Sequence, residues 1–588
     1  MRAFFTLLRA MWRYAKGRRR SLVLFVVLFL IANSLYLLEP FVIGQLLNAI
    51  QQTSVGPETS STLLWLFLAM IGVSVGFWFF HGPARVLEQD IGFHIRAHFV
   101  DHLYRILMRL PIQWHRDHHS GQSINRMRKA QNALYDFSSN LFQLIEMLVR
   151  LIGSFIALFF LLPIAAIIAS GASIAALLLV FVIDHWLLRM YEEINAKEHH
   201  TASAQHDYLT NIITVITLRL QKLTRNELWR RMTHYRELYH RSVYIGEIKW
   251  FLATVLISLM TVSVLAWYSL TTLRTEGVLL AGTFYMLYDY LQKVGGAFYT
   301  FAWKYSATIQ QYADLLAASE ILAAEPPEAA KAKRLPKEWK RIDIKNLHFR
   351  YEDEEKREHH LKNITVSLQR GKKIALVGES GSGKSTLMAL LRGLFDPDRV
   401  EVSVDGEMQP QGLRHLADHV TLIPQEPEIF ANTIEYNITV DTEQSRHEVT
   451  EDIRIAAFDT VLPRLRDGLK TNVVEKGVNL SGGEKQRLAL ARGVFAAKRS
   501  DIILLDEPTS SVDAVNERRI YRNLWQRFPD RAIVSSLHKL HLLPLFDEVY
   551  VLRDGRVIEH GPVKELLAQD GELKKLWEQY NREDREIT

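Results

Sequence analysis

The chain has 588 residues, 23% of them charged, a formal net charge of +6 and no cysteine. That length exceeds what one hydrophobic core supports, so two or more domains are expected. The missing thiols exclude disulfides and thiolate metal sites, and fit either a reducing compartment or an engineered sequence. The basic excess is that of Lys and Arg flanking apolar runs, so no nucleic-acid partner is expected.

Residues 1–20, MRAFFTLLRAMWRYAKGRRR, are basic and amphipathic and contain no acid. A transit peptide has similar composition, but this segment runs into a long apolar stretch without a small-residue cleavage site. It reads as an interfacial helix on the cytoplasmic face. Apolar stretches of about 20 residues, long enough to cross a bilayer, then recur six times up to residue 322. They are Ser21–Leu38 continuing past Pro40, Thr62–Phe80, Phe142–Leu162, Ile164–Leu188, Trp250–Leu273 and Val278–Trp303. Pro163 divides an over-long run and marks a tight turn.

Lys and Arg set the orientation. Residues 51–61 have none and the fifth-to-sixth connection holds only Arg274, whereas residues 83–137 and 189–249 are rich in Arg, Lys and His. The positive-inside rule makes those two segments and both termini cytoplasmic. If mostly helical, segments of that length form out-and-back arms reaching about 40 Å from the membrane. A Pro/Ala/Lys-rich linker without apolar periodicity follows over residues 323–340, and a soluble α/β domain is expected over 341–588.

In that domain KKIALV (Lys372–Val377) reads as a buried strand and GESGSGKST (Gly378–Thr386) fits the phosphate-binding loop pattern. Gly378, Glu379, Ser380, Gly381, Ser382 and Gly383 form a loop whose glycines let backbone N–H groups approach phosphates. Lys384 would bridge the β- and γ-phosphates, Ser385 would ligate Mg²⁺, and Thr386 continues the helix. DIILLDEP (Asp501–Pro508) is a second buried strand. Asp506 fits an Mg²⁺-holding acid at its end, and Glu507 is placed to orient or deprotonate water. A helix N-cap is the structural alternative for Glu507.

LSGGE (Leu480–Glu484) stands just upstream of that strand as a second glycine-rich anion cradle. The three strings in this order resemble the ATP-binding-cassette (ABC) proteins, and the resemblance extends over essentially the whole chain. It implies ATP and Mg²⁺ as ligands and further site residues. Tyr351 in HFRY looks like the aromatic that stacks on adenine. Gln425 in IPQEPEIF matches the glutamine that senses Mg²⁺ and the attacking water. Ser510–Asp513 resembles the loop linking two ATP sites, and His538 aligns with the γ-phosphate switch histidine, with His541 as a nearby rival. Thr471–Gly477 is similar to the exporter-specific loop, departing from it at Val474. Glu484 stands where glutamine is more common. In the family the Ser481, Gly482 and Gly483 cradle closes over ATP held by the other subunit's phosphate loop, which implies a dimer. Leu110–Met127 looks like a coupling-helix region, and Ala204–Ile216 is its weaker counterpart.

Charges also fall inside the expected spans, where each would cost about 2.5–3.5 kcal/mol facing lipid. Glu146 with Arg150, and Asp289 with Lys293, have i,i+4 spacing and are candidate intrahelical pairs. They line a substrate path with Tyr285 and Tyr288, or they are structural pairs without substrate contact. Asp184 and Lys304 are expected at cytoplasmic ends. Three adjacent-histidine pairs lie in charged, solvated stretches and are not read as metal sites.

The expected fold is thus a helical polytopic membrane domain with six spans and long cytoplasmic arms, followed by an α/β P-loop ATPase. The resemblance implies an ABC exporter homodimer in a bacterial inner membrane, its ATPase domain in the cytoplasm, moving an amphipathic solute or lipid of unspecified identity. The alternatives are one subunit of a heterodimer, a regulatory or channel role, and a non-transport ABC machine that the spans argue against.

Overall fold

A computed structural model describes residues 2–52, 57–118, 120–275, 277–326, 335–336, 338–352, 358–426, 428–443, 446–473 and 480–587. The chain divides into two compact units. One holds Met1–Arg109 and His118–Glu325, the other Leu110–Asp117 and Pro326–Thr588.

The first unit is helical throughout. Helix α1 (Arg2–Tyr14) turns its Leu7 and Met11 inward and places the Tyr14 hydroxyl 2.9 Å from His102 Nδ1. Helices α2 (Arg19–Tyr36) and α3 (Glu39–Gln52) are separated at Leu37–Leu38, with Pro40 in the first turn of α3. Proline is tolerated there because a first-turn N–H has no intrahelical partner. Helix α4 (Pro57–Leu107) has 51 residues, about 75 Å at a 1.5 Å rise. The short α5 (Ile112–Asp117) belongs to the second unit, where the Arg116 guanidinium lies 5.4 Å from the Phe395 ring centroid.

Helices α6 (Ser120–Ser139) and α7 (Leu141–Leu161) meet at a break at Asn140. Side chains of α4 cap the backbone groups freed there. The fully buried Glu88 accepts from the Phe142 N–H at 2.8 Å, and Arg85 and Gln89 donate to the Ser139 carbonyl at 2.6 and 3.0 Å. Pro163 opens α8 (Pro163–Thr210) after an extended Leu162. Helices α9 (Ile212–Thr217), α10 (Gln221–His234), α11 (Arg236–Thr275), α12 (Ala281–Leu316) and α13 (Ser319–Ala323) complete the unit.

Among the described residues five helical stretches, rather than the expected six, are long and apolar enough to cross a membrane. The sixth expected span, Val278–Trp303, lies mainly on α12, whose polar content is the reason: tyrosines alternate with Asp289, Gln292 and Lys293. These stretches carry their apolar surface outward, with Trp65 71% and Phe79 70% exposed on α4, as expected where lipid replaces water.

The second unit contains two sheets. An antiparallel sheet has the order β2-β1-β4-β5, built from β1 (Arg341–Glu352), β2 (Glu358–Gln369), β4 (Arg399–Val404) and β5 (Glu407–Met408). The other has the order β10-β9-β3-β8-β7-β6, from β3 (Lys373–Val377), β6 (Val420–Ile423), β7 (Ile502–Asp506), β8 (Ala532–Ser536), β9 (Glu548–Arg553) and β10 (Arg556–Pro562). Its strands are parallel from β9 to β6. Strands β3, β7 and β8 are buried at every position, which explains the apolar runs of residues 374–377, 502–505 and 532–534 within them. Alternate residues face two cores, Ala375 and Val377 one, Ile374 and Leu376 the other. The remaining helices are α14 (Lys384–Leu391), α15 (Ile434–Thr439), α16 (Arg446–Ile455), α17 (Gly482–Ala497), α18 (Ala514–Arg527), α19 (Val563–Ala568) and α20 (Glu572–Ile587). Leu335 and Trp339, from the stretch read as linker, are buried with the β1–β4 face.

Candidate nucleotide site and a polar cavity in the membrane unit

Ligands of open parallel sheets bind beyond the C-terminal ends of the strands, and here β3, β8 and β7 deliver three loops to one place. The chain leaves β3 at Gly378 with φ +154°, followed by Gly381 at +81° and Gly383 at +102°. A Cβ on Gly378 would sit 2.1 Å from the Leu552 carbonyl oxygen, and one on Gly383 would sit 2.6 Å from Leu361 Cδ2. Only glycine meets both demands. Lys384 opens α14 and is buried, its Nζ donating to the carbonyls of Gly378 and Glu379 at 2.8 and 2.9 Å. Burial pushes its pKa down, partly opposed by the negative charges of Glu507 and Asp506, so an arriving polyphosphate would favour the charged ammonium. Ser382 Oγ lies 3.5 Å from that ammonium.

Strand β7 ends at Asp506, whose Oδ1 accepts from Ser385 Oγ at 3.1 Å and Ser536 Oγ at 2.7 Å. The next residue, Glu507, adopts a left-handed φ of +44°. For a non-glycine residue this stores about 1–3 kcal/mol of strain, a feature that clusters at functional sites. Its N–H donates to Ser536 Oγ at 2.9 Å, and its Oε2 accepts from Gln425 Nε2 at 2.8 Å. A cavity of about 530 Å³ is lined by Lys384, Ser385, Gln425, Glu507 and His538, with Ser380, Gly381 and Thr386 on its loop side. Ser385 and Asp506 bring two oxygen donors together, the ligand type a hard divalent cation takes, and Gln425 lines the same cavity as Ser385.

The other expected site residues are placed differently. Ser481 caps α17 in a reciprocal box with Glu484: the Ser481 N–H donates to Glu484 Oε2 at 2.9 Å and the Glu484 N–H to Ser481 Oγ at 3.3 Å. Glu484 also pairs with Arg464. Burial alone would raise its pKa, but the Ser481 hydrogen bonds and the Arg464 and Arg487 cations outweigh that and hold it low. A Cβ on Gly483 would meet the Ser511 carbonyl at 2.7 Å. Ser481, Gly482 and Gly483 are not among the described residues lining the cavity. Asp513 caps α18, accepting from the Asn516 N–H at 3.0 Å. Tyr351 pairs with His359 in β1–β2, but its side chain, like Val474–Gly477, lies outside the described residues.

Sequence reasoning missed Gln486, one helical turn into α17. Its Nε2 donates to Ser510 Oγ at 2.6 Å and its Oε1 accepts from the Ser511 N–H at 2.7 Å, linking α17 to the loop before Asp513. It missed His360 as well, which lines the cavity from β2.

In the membrane unit, Glu146 and Arg150 on α7 are 2.5 Å apart, and Asp289 pairs with Lys293 on α12. Glu146, Arg150 and Lys293 line one cavity of about 450 Å³ with Gln143, Gln292 and Thr300. Tyr36, which carried no sequence signal, places its ring 5.1 Å from the Arg150 guanidinium and 5.3 Å from Lys293 Nζ. Tyr285 and Tyr288 are not among the described residues lining that cavity, and Tyr288 is exposed. Asp184 pairs across helices with Lys249 at 2.7 Å, and Lys304 is buried.

The ABC transporter family pattern matches residues 361–510, and the pattern of the ABC transporter transmembrane region matches residues 22–294. The chain belongs to the ABC transporter family. Its membrane and nucleotide-binding regions are fused in one polypeptide. The transporter is similar to the ATP-dependent lipid A-core flippase of Pasteurella multocida, with 35% identity over 238 residues, 40% of each chain. It is similar over a longer stretch to heavy metal tolerance factor 1 of Caenorhabditis elegans, with 28% identity over 499 residues, 82% of this chain and 60% of that one. The match thus spans less than two thirds of the length of either relative. A solved structure of a bacterial Atm1-family ABC exporter with ATP bound shares the fold, with a TM-score of 0.80 and 23% identity, covering 96% of this chain and 98% of that one.

Proposed function

We propose that this transporter is one half of a homodimeric exporter that binds and hydrolyses ATP to export or flip an amphipathic solute or lipid. The reading places it in a bacterial inner membrane with the second unit in the cytoplasm, and has α12 complete a six-span bundle. The observation that carries the ATPase assignment is the convergence of Lys384, Ser385, Gln425, Glu507 and His538 on one cavity, with Asp506 bonded to Ser385 behind it. Lys384 would neutralise the β- and γ-phosphates, and His538 would contact the γ-phosphate. Gln425 holds the Glu507 carboxylate, which would take the proton of the attacking water. Mg²⁺, held by Ser385, Gln425 and Asp506, would supply charge neutralisation of the phosphate oxygens.

Two observations support a dimer. Among the described residues the Ser481–Gly483 cradle does not line the cavity of its own chain, which supports a site completed by a second copy. The tip of the second arm also exposes apolar side chains beyond what a solvated turn needs, Ile213 at 78% and Trp229 at 68%. Such a patch marks a contact surface. Ser481→Arg, which leaves Lys384 untouched, is expected to abolish ATP hydrolysis. A fully active monomer in nanodiscs would overturn the composite site.

For the transported species, the Glu146–Arg150 and Asp289–Lys293 pairs around Tyr36 offer a polar wall on α7 and α12, suited to a charged or hydroxylated head on an apolar body. Tyr285 and Tyr288 would extend that path as a neighbouring aromatic surface. The double variant Asp289→Asn/Lys293→Gln is expected to keep basal ATPase and alter its stimulation across a panel of lipids, glycans, peptides and drugs. Unchanged stimulation in a well-folded variant would place substrate binding elsewhere.

A further inference from the structure

Behind the nucleotide cavity lies a buried carboxylate that the proposed hydrolysis does not use. Glu517, on the first turn of α18, is 2% exposed. Its Oε1 accepts from the Thr509 hydroxyl at 2.5 Å. Its Oε2 faces two cationic or ionisable groups, Lys539 Nζ at 3.5 Å and His541 Nε2 at 3.3 Å. Lys539 Nζ also donates to the Val512 carbonyl at 3.1 Å. On its far side, His541 places Nδ1 3.1 Å from the Tyr580 hydroxyl of α20, with the two rings stacked.

The positions of these partners in the sequence give the cluster its meaning. Thr509 is two residues past Glu507, Val512 immediately precedes Asp513, and Lys539 immediately follows His538. Glu517, Thr509 and Lys539 also line the cavity that Glu507 and His538 line. One buried carboxylate is therefore tied to both loops on which the hydrolytic groups sit, the β7–α18 connection that carries Glu507 and Asp513 and the loop after β8 that carries His538. A buried charge is tolerated only where its partners are fixed around it, so the arrangement resists relative movement of those loops.

We infer that Glu517 is a positioning residue, with Lys539 as its counter-charge. It holds the loop of Glu507 and Asp513 in register with the loop of His538, and His541–Tyr580 anchors the cluster to α20. The inference rests on the ATPase reading above. It adds a route by which the C-terminal helix influences turnover without touching nucleotide.

Steady-state ATPase kinetics of the full-length transporter in nanodiscs, with binding of a fluorescent ATP analogue, test this. Glu517→Gln keeps the size of the side chain and an oxygen for Thr509 while removing the charge. Misplacement of reacting groups by about 1 Å costs up to about 10²-fold, so kcat is expected to fall about tenfold or more. KM for ATP and analogue binding should change less than about threefold, because the Gly378–Thr386 loop is not part of the cluster. Lys539→Met is expected to behave alike, and the double variant to lose no more than either single one, since both remove one interaction. His541→Ser, a milder change in case the charge variants misfold, is expected to lower kcat by a few-fold at unchanged KM. A kcat unchanged in folded Glu517→Gln and His541→Ser overturns the inference, as does a loss that appears in KM and analogue binding instead. If the unmodified transporter binds the analogue but hydrolyses no ATP, the ATPase reading falls, and this inference with it.

Discussion

The two units use similar apolar sequence for opposite ends. In the nucleotide-binding unit, β3, β7 and β8 are short apolar runs with no exposed residue. Helix α4 carries a longer apolar run, yet none of its most hydrophobic window is buried within the protein. Burial in the first case removes side chains from water, worth about 25 cal/mol per Å². In the second case lipid is the solvent, and the helix has only to satisfy its own backbone. Polar groups divide the same way. The nucleotide unit anchors Lys384, Asp506 and Glu507 through backbone and hydroxyl groups brought together by strand order. The membrane unit holds charges in pairs, along one helix for Glu146–Arg150 and Asp289–Lys293 and between two for Asp184–Lys249. Contacts between distant strands and loops thus build the site in one unit, whereas pairing along or between helices places charges in the other.

The largest expected effect tests the nucleotide side of this contrast. Glu507→Gln retains the left-handed backbone and the Gln425 contact but not the base. Hydrolysis is expected to fall by about 10²–10⁴-fold with ATP binding kept, as measured by phosphate release and nucleotide retention. Near-normal turnover would remove Glu507 from the reaction.

The membrane side is sharpened by Asp184→Asn, which strands the Lys249 ammonium among packed helices. Breaking one partner of a buried pair costs about 3–5 kcal/mol, so a clear drop in detergent melting temperature is expected. The double variant Asp184→Asn/Lys249→Gln should regain much of it. A double variant no more stable than the single one would show that the pair is not a closed structural unit.

The smallest effect concerns Glu484, the departure from the usual signature glutamine. Its carboxyl is held below its ordinary pKa by Ser481, Arg464 and Arg487. A carboxyl lowered on folding adds stability above its unfolded pKa, about 4.3, and loses it as pH falls through the lower folded value. Glu484→Gln keeps an acceptor for the Ser481 N–H, so at neutral pH stability should change by less than about 1 kcal/mol. Below about pH 4 the variant's unfolding midpoint should fall less steeply than the parent's. Parallel acid titrations would show that Glu484 is not linked to folding.

The sequence by itself determined the parts whose physics is local. A phosphate-binding loop must be glycine-rich where φ is positive and the backbone crowded, so Gly378, Gly381 and Gly383 announce it at fixed spacing. The i,i+4 periodicity of an α-helix likewise made the Glu146–Arg150 and Asp289–Lys293 pairs legible. Tertiary structure decided what depends on residues distant in the chain. It placed Ser536 on Asp506 and Gln425 on Glu507, and set Tyr36 against cations more than a hundred residues away. It also set Glu88 on the break before α7 and Glu517 beneath the hydrolytic loops. No spacing rule encodes such contacts, because strand order and helix packing choose the neighbours, and buried polar groups then require the partners that packing supplies.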